Sequence, residues 1–201
     1  MGGDDRYQDG VNMNFNNYPF YLITSSPYDE ISFLKLLKLA LDKGIRLVQI
    51  RAKELNDDEY KKLSLSAIKL CHQYDAKALL STKLGSIEEL KADGVHLPSA
   101  EMMKITNRSI SSNYILSVAC HDEEQVIHAS KINADLVVIS PVFLTPSSPN
   151  GKPLGWSKFL LLAKLSKVPV YALGGVTPKD LAIARSHGAT GVAAIRAFWN
   201  E

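Results

Sequence analysis

The strongest constraint on the fold is the alternation of short apolar runs with amphipathic helical patterns along almost the whole sequence. The apolar runs have the length and β-branched content of buried strands, and they lie at residues 20–24, 45–50, 78–80, 94–97, 114–119, 136–139, 168–173 and 191–195. Helices are predicted between them, at residues 29–43, 56–74, 87–92, from 122 onwards, 156–165 and up to 186. Parallel strands joined by right-handed crossover helices produce this order, and about eight such units close into a TIM barrel.

We therefore predict an α/β chain with one (β/α)8 TIM-barrel domain over residues 18–201 and a short last helix. An open doubly wound sheet is the alternative, but the pattern G-x-G-x-x-G that usually follows its first strand is absent. Residues 1–17 are rich in Gly, Asp and Asn and are predicted to form a flexible leader. We expect this leader, or a second copy of the chain in a homodimer, to cover the gap beside the short last helix.

The charge balance argues against a nucleic-acid or membrane partner. The chain has 23 basic and 21 acidic residues, a net charge of +2, so no large basic surface is expected. No stretch is long and apolar enough to span a bilayer, and no signal-peptide pattern is present. The two cysteines, Cys71 and Cys120, are too few for a disulfide framework and lack metal-ligand spacing. These features predict a cytoplasmic protein with reduced thiols.

The seventh predicted strand ends in two glycines, Gly174 and Gly175, followed by Thr177 and Pro178. Adjacent glycines let a backbone approach a ligand closely, and Thr-Pro is a common start of a helix. The eighth strand ends at Ile195-Arg196, and in TIM barrels the loops after strands seven and eight often form one phosphate site. The sequence therefore predicts phosphate binding here, and a plain strand-to-helix turn is the alternative.

Two further groups of polar residues follow predicted strands. Gln49, Arg51 and Lys53 alternate at the end of strand two, so their side chains point the same way and resemble an anion clamp. The alternative is that one of them caps the barrel mouth while the others are solvated. The long loop after strand six carries Thr145 and Ser147, whose hydroxyls are candidates for holding a second anion.

Histidines at two strand ends are candidates for proton transfer. His121 follows strand five at the predicted mouth of the barrel, where it is either an acid/base group or a helix cap. His96, near the end of strand four, is predicted to be a hydrogen-bonded core histidine. Cys120 is predicted to be a buried structural thiol rather than a nucleophile.

With these pieces placed, the chain resembles the thiamine phosphate synthase and thiazole tautomerase family of barrels over residues 21–198. The matching stretches are 48–53, 92–97, 141–145, 172–176 and 188–193. Residues 153–156, together with 171–175 and 194–196, look most like the branch that is sometimes fused behind a Nudix hydrolase. In the family's synthases, a pyrimidine diphosphate loses its diphosphate and couples to a thiazole phosphate. The resemblance implies that Gln49, Arg51 and Lys53 meet the pyrimidine and its diphosphate. It also implies that four residues surround the thiazole phosphate: Gly174, Gly175, Ile195 and Arg196.

The sequence departs from the synthase pattern where that family binds Mg²⁺ and diphosphate. Ser81-Thr82-Lys83 replaces Asn-Asp-Arg, and residues 98–101 replace Gly-Gln-x-Asp, which leaves Glu101 as a longer substitute for the second carboxylate. Residues 145–148 read Thr-Pro-Ser-Ser in place of Thr-x-Thr-Lys, so a diphosphate lysine is missing. The tautomerase branch also lacks the metal pattern, and its proton-transferring histidine falls at the position of His121.

The leading hypothesis from the sequence is a metal-independent, thiazole tautomerase-like barrel in which His121 is the acid/base and a small phosphate substrate is bound. The first alternative is a thiamine phosphate synthase that uses Mg²⁺ and Glu101. The second alternative is a non-catalytic sensor of a phosphate ligand, or a partner of a Nudix hydrolase.

Overall fold

Eight parallel strands form a closed barrel in the computed structural model, which describes residues 13–25, 29–81, 87–145 and 152–199. Each strand pairs with its neighbours in sequence, and β1 pairs with β8 to complete the ring. This confirms the predicted single-domain TIM barrel. The strands are β1 Phe20–Ile23, β2 Leu47–Ile50, β3 Lys77–Leu80, β4 Gly94–Leu97, β5 Ile115–Cys120, β6 Leu136–Ile139, β7 Val170–Leu173 and β8 Gly191–Ala194.

Helices surround the barrel, and local capping explains where the longer ones begin. Asp29 caps the first helix by accepting a hydrogen bond from the Ser32 N–H, and Asn56 and Glu59 form a reciprocal capping box at the second. None of the described helices combines the length and hydrophobicity that a membrane-spanning segment requires. The helices are α1 Glu30–Asp42, α2 Asp57–Gln73, α3 Ile87–Leu90, α4 Ser99–Met102, α5 Glu123–Lys131, α6 Gly155–Leu165, α7 Leu181–Ser186 and α8 Arg196–Trp199.

Apolar side chains fill two regions of the fold. One cluster lies inside the barrel and includes Tyr21, Leu47, Leu79, Ile115 and Tyr171. The larger cluster packs the outer faces of the strands against the helices. Burying one large aliphatic or aromatic side chain stabilises the fold by about 1.5 to 3 kcal/mol, so both clusters hold the ring in a fixed shape.

The residues just before β1 close the amino-terminal end of the barrel. Phe15–Asn17 form a short 3₁₀ helix, and Phe15 is buried against the interior cluster. The Tyr171 hydroxyl donates a hydrogen bond to the Tyr18 carbonyl at 2.7 Å. These residues include the end of the predicted leader, whereas residues 1–12 lie outside the described part of the chain.

The last helix, α8, is short, as predicted, and its aromatic side chains pack against the start of the chain. The Trp199 ring meets Phe33 of α1 edge-on at 4.8 Å between centroids, and Phe198 meets Phe20 of β1 at 5.6 Å. Both aromatic residues of α8 are buried. Aromatic contacts of α8 with β1 and α1 therefore join the two ends of the described chain.

Candidate substrate-binding site at the carboxyl ends of the strands

A cavity of about 620 Å³ opens at the carboxyl ends of β5 to β8, and we call it the β7–β8 cavity. It is large enough for a small-molecule ligand. Six residues predicted from the sequence line it: His121, Thr145, Gly174, Gly175, Ile195 and Arg196. The lining also includes Thr177, the predicted helix start. The sequence did not single out the remaining lining residues: Ser140, Pro141, Leu173, Val176, Ala194 and Ala197.

Gly174 and Gly175 occupy backbone positions that other residues rarely adopt. Their φ angles are +99° and +68°, in the left-handed region that favours glycine. A Cβ on Gly174 would lie 2.8 Å from Pro141 Cα, and a Cβ on Gly175 would lie 2.7 Å from Phe143 Cβ. The loop after β6 therefore packs directly against the paired glycines. Among the described residues, neither glycine N–H has a hydrogen-bond partner, so both are available to an anion.

The end of β8 brings positive charge to the same cavity. Arg196 is exposed at the first position of α8, directly after Ile195. Thr177, on the β7 side, is already engaged, because its hydroxyl and its N–H both donate to the Asp180 carboxylate, at 2.9 and 2.7 Å. Among the described groups of this cavity, the Arg196 guanidinium is thus the cation that is placed to meet a bound anion.

His121 lines the β7–β8 cavity with a defined tautomer. Its Nδ1 lies 2.8 Å from the Ser140 carbonyl oxygen, which only accepts hydrogen bonds, so Nδ1 carries the proton in the neutral ring. The Nε2 atom is then unprotonated and can accept a proton. The His121 backbone N–H donates to Gln125 Oε1 at 2.8 Å, which holds the residue where β5 turns into α5. These two contacts hold the ring in place and leave Nε2 as its basic atom.

Gln49, Arg51 and Lys53 lie at the end of β2 and do not line the β7–β8 cavity. Gln49 is only 2% exposed, and its Oε1 has no hydrogen-bond partner among the described residues. Thr24 fixes the Arg51 backbone by accepting from its N–H and donating to its carbonyl. Partial burial lowers the pKa of the Arg51 guanidinium, against the opposing charge of Glu54. Lys53 is exposed.

The residues expected to replace the family's metal ligands do not fit a Mg²⁺ site in the described part of the chain. Glu101 is about half exposed and forms an ion pair with Lys104 at 2.8 Å. No group of three or more His, Cys, Asp or Glu side chains suited to a metal occurs among the described residues. Mg²⁺ prefers carboxylates and phosphates as anchors. Ser147, Thr82 and Lys83 lie outside the described residues.

His96 and Cys120 are buried, as the sequence predicts. His96 is buried and its Nδ1 lies 2.7 Å from Ser117 Oγ. Cys120 is fully buried, and burial raises the pKa of its thiol to about 12, so it is no nucleophile at neutral pH.

The fold and the cavity define a TIM barrel with a ligand-sized site at the carboxyl ends of its strands, which is where such barrels carry their chemistry. A family model described as thiamine monophosphate synthase matches residues 20–198. The chain therefore belongs to the thiamine monophosphate synthase family, a family of thiamine biosynthesis, as the resemblance predicted.

Individual relatives agree with this assignment. A protein of Aquifex aeolicus, provisionally named thiamine-phosphate synthase 2, is 34% identical over 89% of this chain and 96% of its own length. The thiamine-phosphate synthase of Prochlorococcus marinus is 28% identical over 85% of this chain, but the match spans only about half of that relative, 49%. The thiamine phosphate pyrophosphorylase structure from Pyrococcus furiosus has a TM-score of 0.75 at 22% identity, covers 92% of this chain and 90% of its own, and supports the fold.

Proposed function

We propose that this chain is an enzyme of thiamine biosynthesis that binds a thiazole phosphate in the β7–β8 cavity. The observation that carries the proposal is the pair of left-handed glycines, Gly174 and Gly175, placed beside Arg196. Two backbone N–H groups and one guanidinium suit a phosphate, because they combine directed donors with positive charge. The loops after strands seven and eight hold phosphate in many other TIM barrels.

Thiamine phosphate synthesis is the first candidate reaction, because the relatives reported above carry that name. The comparisons thus favour the synthase alternative over the tautomerase hypothesis that the sequence put first. In this reaction Arg51 and Lys53 would supply positive charge to the departing diphosphate at the end of β2. We assign no step to Mg²⁺, because the described residues do not bring its ligands together.

Thiazole tautomerase-like proton transfer is the second candidate reaction, and the geometry of His121 favours it. The Ser140 carbonyl leaves Nε2 as the basic atom of the ring, in the cavity that also holds the paired glycines. Tautomerisation of a thiazole phosphate needs a histidine that transfers protons and a site that anchors the phosphate, but no metal. The residues of the β7–β8 cavity therefore suit this reaction without any contribution from β2.

One experiment with three variants decides between the two reactions. The protein is given the pyrimidine diphosphate, the thiazole phosphate and Mg²⁺, and separately the thiazole carboxylate phosphate tautomer. For a synthase, Arg51→Gln lowers thiamine phosphate formation by about tenfold or more, while His121→Ala leaves it nearly unchanged. For a tautomerase, His121→Ala lowers the rate of tautomer conversion by about a hundredfold or more, while Arg51→Gln leaves that rate nearly unchanged.

Lys164→Gln, on an exposed face of α6, is the control for loss of a charge and leaves either rate unchanged. Thiazole phosphate binding without either reaction would support the non-catalytic sensor hypothesis. Failure of thiazole phosphate to bind would refute the proposed function.

A further inference from the structure

A chain of buried hydrogen bonds lies inside the barrel, away from the β7–β8 cavity. The Tyr21 hydroxyl lies 3.3 Å from Ser117 Oγ, and Ser117 Oγ lies 2.7 Å from His96 Nδ1. The Tyr21 and Ser117 side chains are fully buried, and the His96 residue is 7% exposed. Most of their neighbours inside the barrel are aliphatic, so each polar atom here needs a partner within the chain.

The direction of the hydrogen bonds in this chain fixes the tautomer of His96. The Tyr21 hydroxyl has one proton and donates it to Ser117 Oγ. Among the described residues, His96 Nδ1 is then the acceptor within reach of the Ser117 proton. If His96 Nδ1 donated instead, Ser117 Oγ would accept from both neighbours, and the buried Ser117 proton would lack an acceptor among the described residues, which costs about 1 to 3 kcal/mol. His96 Nδ1 is therefore an acceptor, and the ring carries its proton on Nε2.

His96 lies at the mouth of the barrel on the side of β2. In the strand register Gln49 is level with Leu79, and Leu79 with Gly94, so His96 is level with Arg51. Burial lowers the pKa of His96 to about 3, and the positive charge of Arg51 acts in the same direction. The ring thus stays neutral at physiological pH. Its Nε2–H is therefore a fixed donor, because Nδ1 is held as the acceptor of the Ser117 hydroxyl.

We propose that Ser117 is a positioning residue that holds His96 as a neutral Nε2–H donor toward an acceptor atom of the substrate, on the β2 side of the mouth. This inference rests on the function proposed above. Ser117 does not touch the substrate; it acts through His96. A serine hydroxyl suits this role, because it accepts from Tyr21 and donates to His96 at the same time.

The test combines the nitrogen NMR spectrum of His96 with ligand binding, in the full chain labelled with ¹⁵N-histidine. In the unsubstituted protein we expect the proton on Nε2 and Nδ1 as an acceptor. Ser117→Ala mixes the two tautomers of His96 and weakens thiamine phosphate binding by about tenfold. Ser117→Thr keeps the hydroxyl and restores both signals. Ser64→Ala, which removes a fully buried serine hydroxyl from α2, is the matched control and changes neither.

A proton on His96 Nδ1 in the unsubstituted protein would overturn the proposal. Unchanged tautomer or unchanged thiamine phosphate affinity in Ser117→Ala would overturn it as well. Absence of either reaction in the unsubstituted protein would instead refute the proposed catalysis alone, because the tautomer and the affinity are measured without turnover.

Discussion

Gly174 and Gly175 are required both by the backbone conformation and by the close packing around them. Each has a left-handed φ, and each lies against the loop after β6 without room for a side chain. Gly44 also has a left-handed φ, +90°, but nothing lies within 4 Å of where its Cβ would be. The three glycines therefore allow the cost of the dihedral angle to be separated from the cost of the overlap.

Gly175→Ala should lower the free energy of unfolding by more than Gly44→Ala does. The left-handed dihedral alone costs about 1 to 2 kcal/mol for a non-glycine residue, and both variants bear that cost. Gly175→Ala adds the overlap with Phe143, which must move. Urea unfolding measures the difference, and equal losses in the two variants would contradict the packing described here.

Arg196→Gln should weaken thiazole phosphate binding by about tenfold, because a charge-assisted hydrogen bond to the phosphate is lost. The affinity of the unsubstituted protein should also fall with added salt more steeply than that of the variant. Calorimetric titration at two salt concentrations measures both effects, with Lys164→Gln as the control. Equal salt dependence in Arg196→Gln and the unsubstituted protein would show that Arg196 does not meet the phosphate.

Acid should destabilise the protein below pH 6.5 through His96. The pKa of His96 is about 3 in the fold and about 6.5 in the unfolded chain, so only the unfolded chain gains a proton between these values. Stability is therefore lost as the pH falls, by up to about 1.4 kcal/mol per unit. Urea unfolding between pH 5 and 7 measures the slope, and His96→Gln should flatten it. An unchanged slope in this variant would contradict the assignment.

At the scale of the elements, α2 holds the ends of two strands together. The Tyr60 hydroxyl donates to the Ile50 carbonyl at 2.7 Å and accepts from the Ser81 N–H at 3.0 Å. Burial raises the pKa of this phenol to about 12, so it stays protonated. The Tyr60 side chain thus reinforces the backbone hydrogen bond from the Ser81 N–H to the Ile50 carbonyl, 3.1 Å, that joins the carboxyl ends of β2 and β3.

Tyr60→Phe should lower the free energy of unfolding by about 1 to 2 kcal/mol, because it removes both hydrogen bonds. Hydrogen exchange at the Ser81 N–H should become faster. Tyr74→Phe removes an exposed bond to Asp42 and serves as the control, with little effect on either measurement. Slow exchange at Ser81 in Tyr60→Phe would show that β2 and β3 do not need this clamp.

The sequence predicts the elements well where a local signal exists. Asp29 and Asn56 mark the starts of α1 and α2 because their side chains cap the helices. Helix α4, of four residues, was not predicted, because it is too short for a periodic pattern. The predicted strands two and seven start at residues 45 and 168, two residues before β2 and β7 begin, since sequence composition does not report where pairing begins.

The predictability of the site follows the same limits. Strand-end reasoning identified His121, Gly174 and Arg196 because each lies within two residues of the end of a strand. The same reasoning does not tell which sector of the mouth a strand end faces, so it could not separate Gln49 and Arg51 from the β7–β8 cavity. The role of Ser117 depends on two contacts, with Tyr21 and His96, that are distant in sequence.

At the scale of the whole molecule, the barrel joins every strand into one ring, so it should unfold as a unit. The two tryptophans report on different parts of it. The Trp156 ring, near the start of α6, packs against Phe143, and the Trp199 ring packs against Phe33 of α1. Replacing one tryptophan with phenylalanine leaves the fluorescence of the other tryptophan to be followed by itself.

Trp156→Phe and Trp199→Phe should show fluorescence transitions in urea that coincide with the loss of far-ultraviolet circular dichroism measured on the same variant. Coincidence is expected because β1 pairs with both β2 and β8, which leaves no sector of the ring independent. An earlier fluorescence transition in Trp156→Phe, which retains Trp199, would instead reveal separate melting of α8.

The pairing of β1 with β8 has a consequence for biosynthesis. Phe20, Tyr21 and Leu22 are among the first described residues to leave the ribosome, yet their partners, Val192 to Ala194, are made about 170 residues later, as the register shows. A nascent chain therefore exposes an unpaired strand edge throughout most of translation, and such edges promote aggregation. Chaperone binding during this interval is the natural protection for a ring that cannot close until its eighth strand emerges.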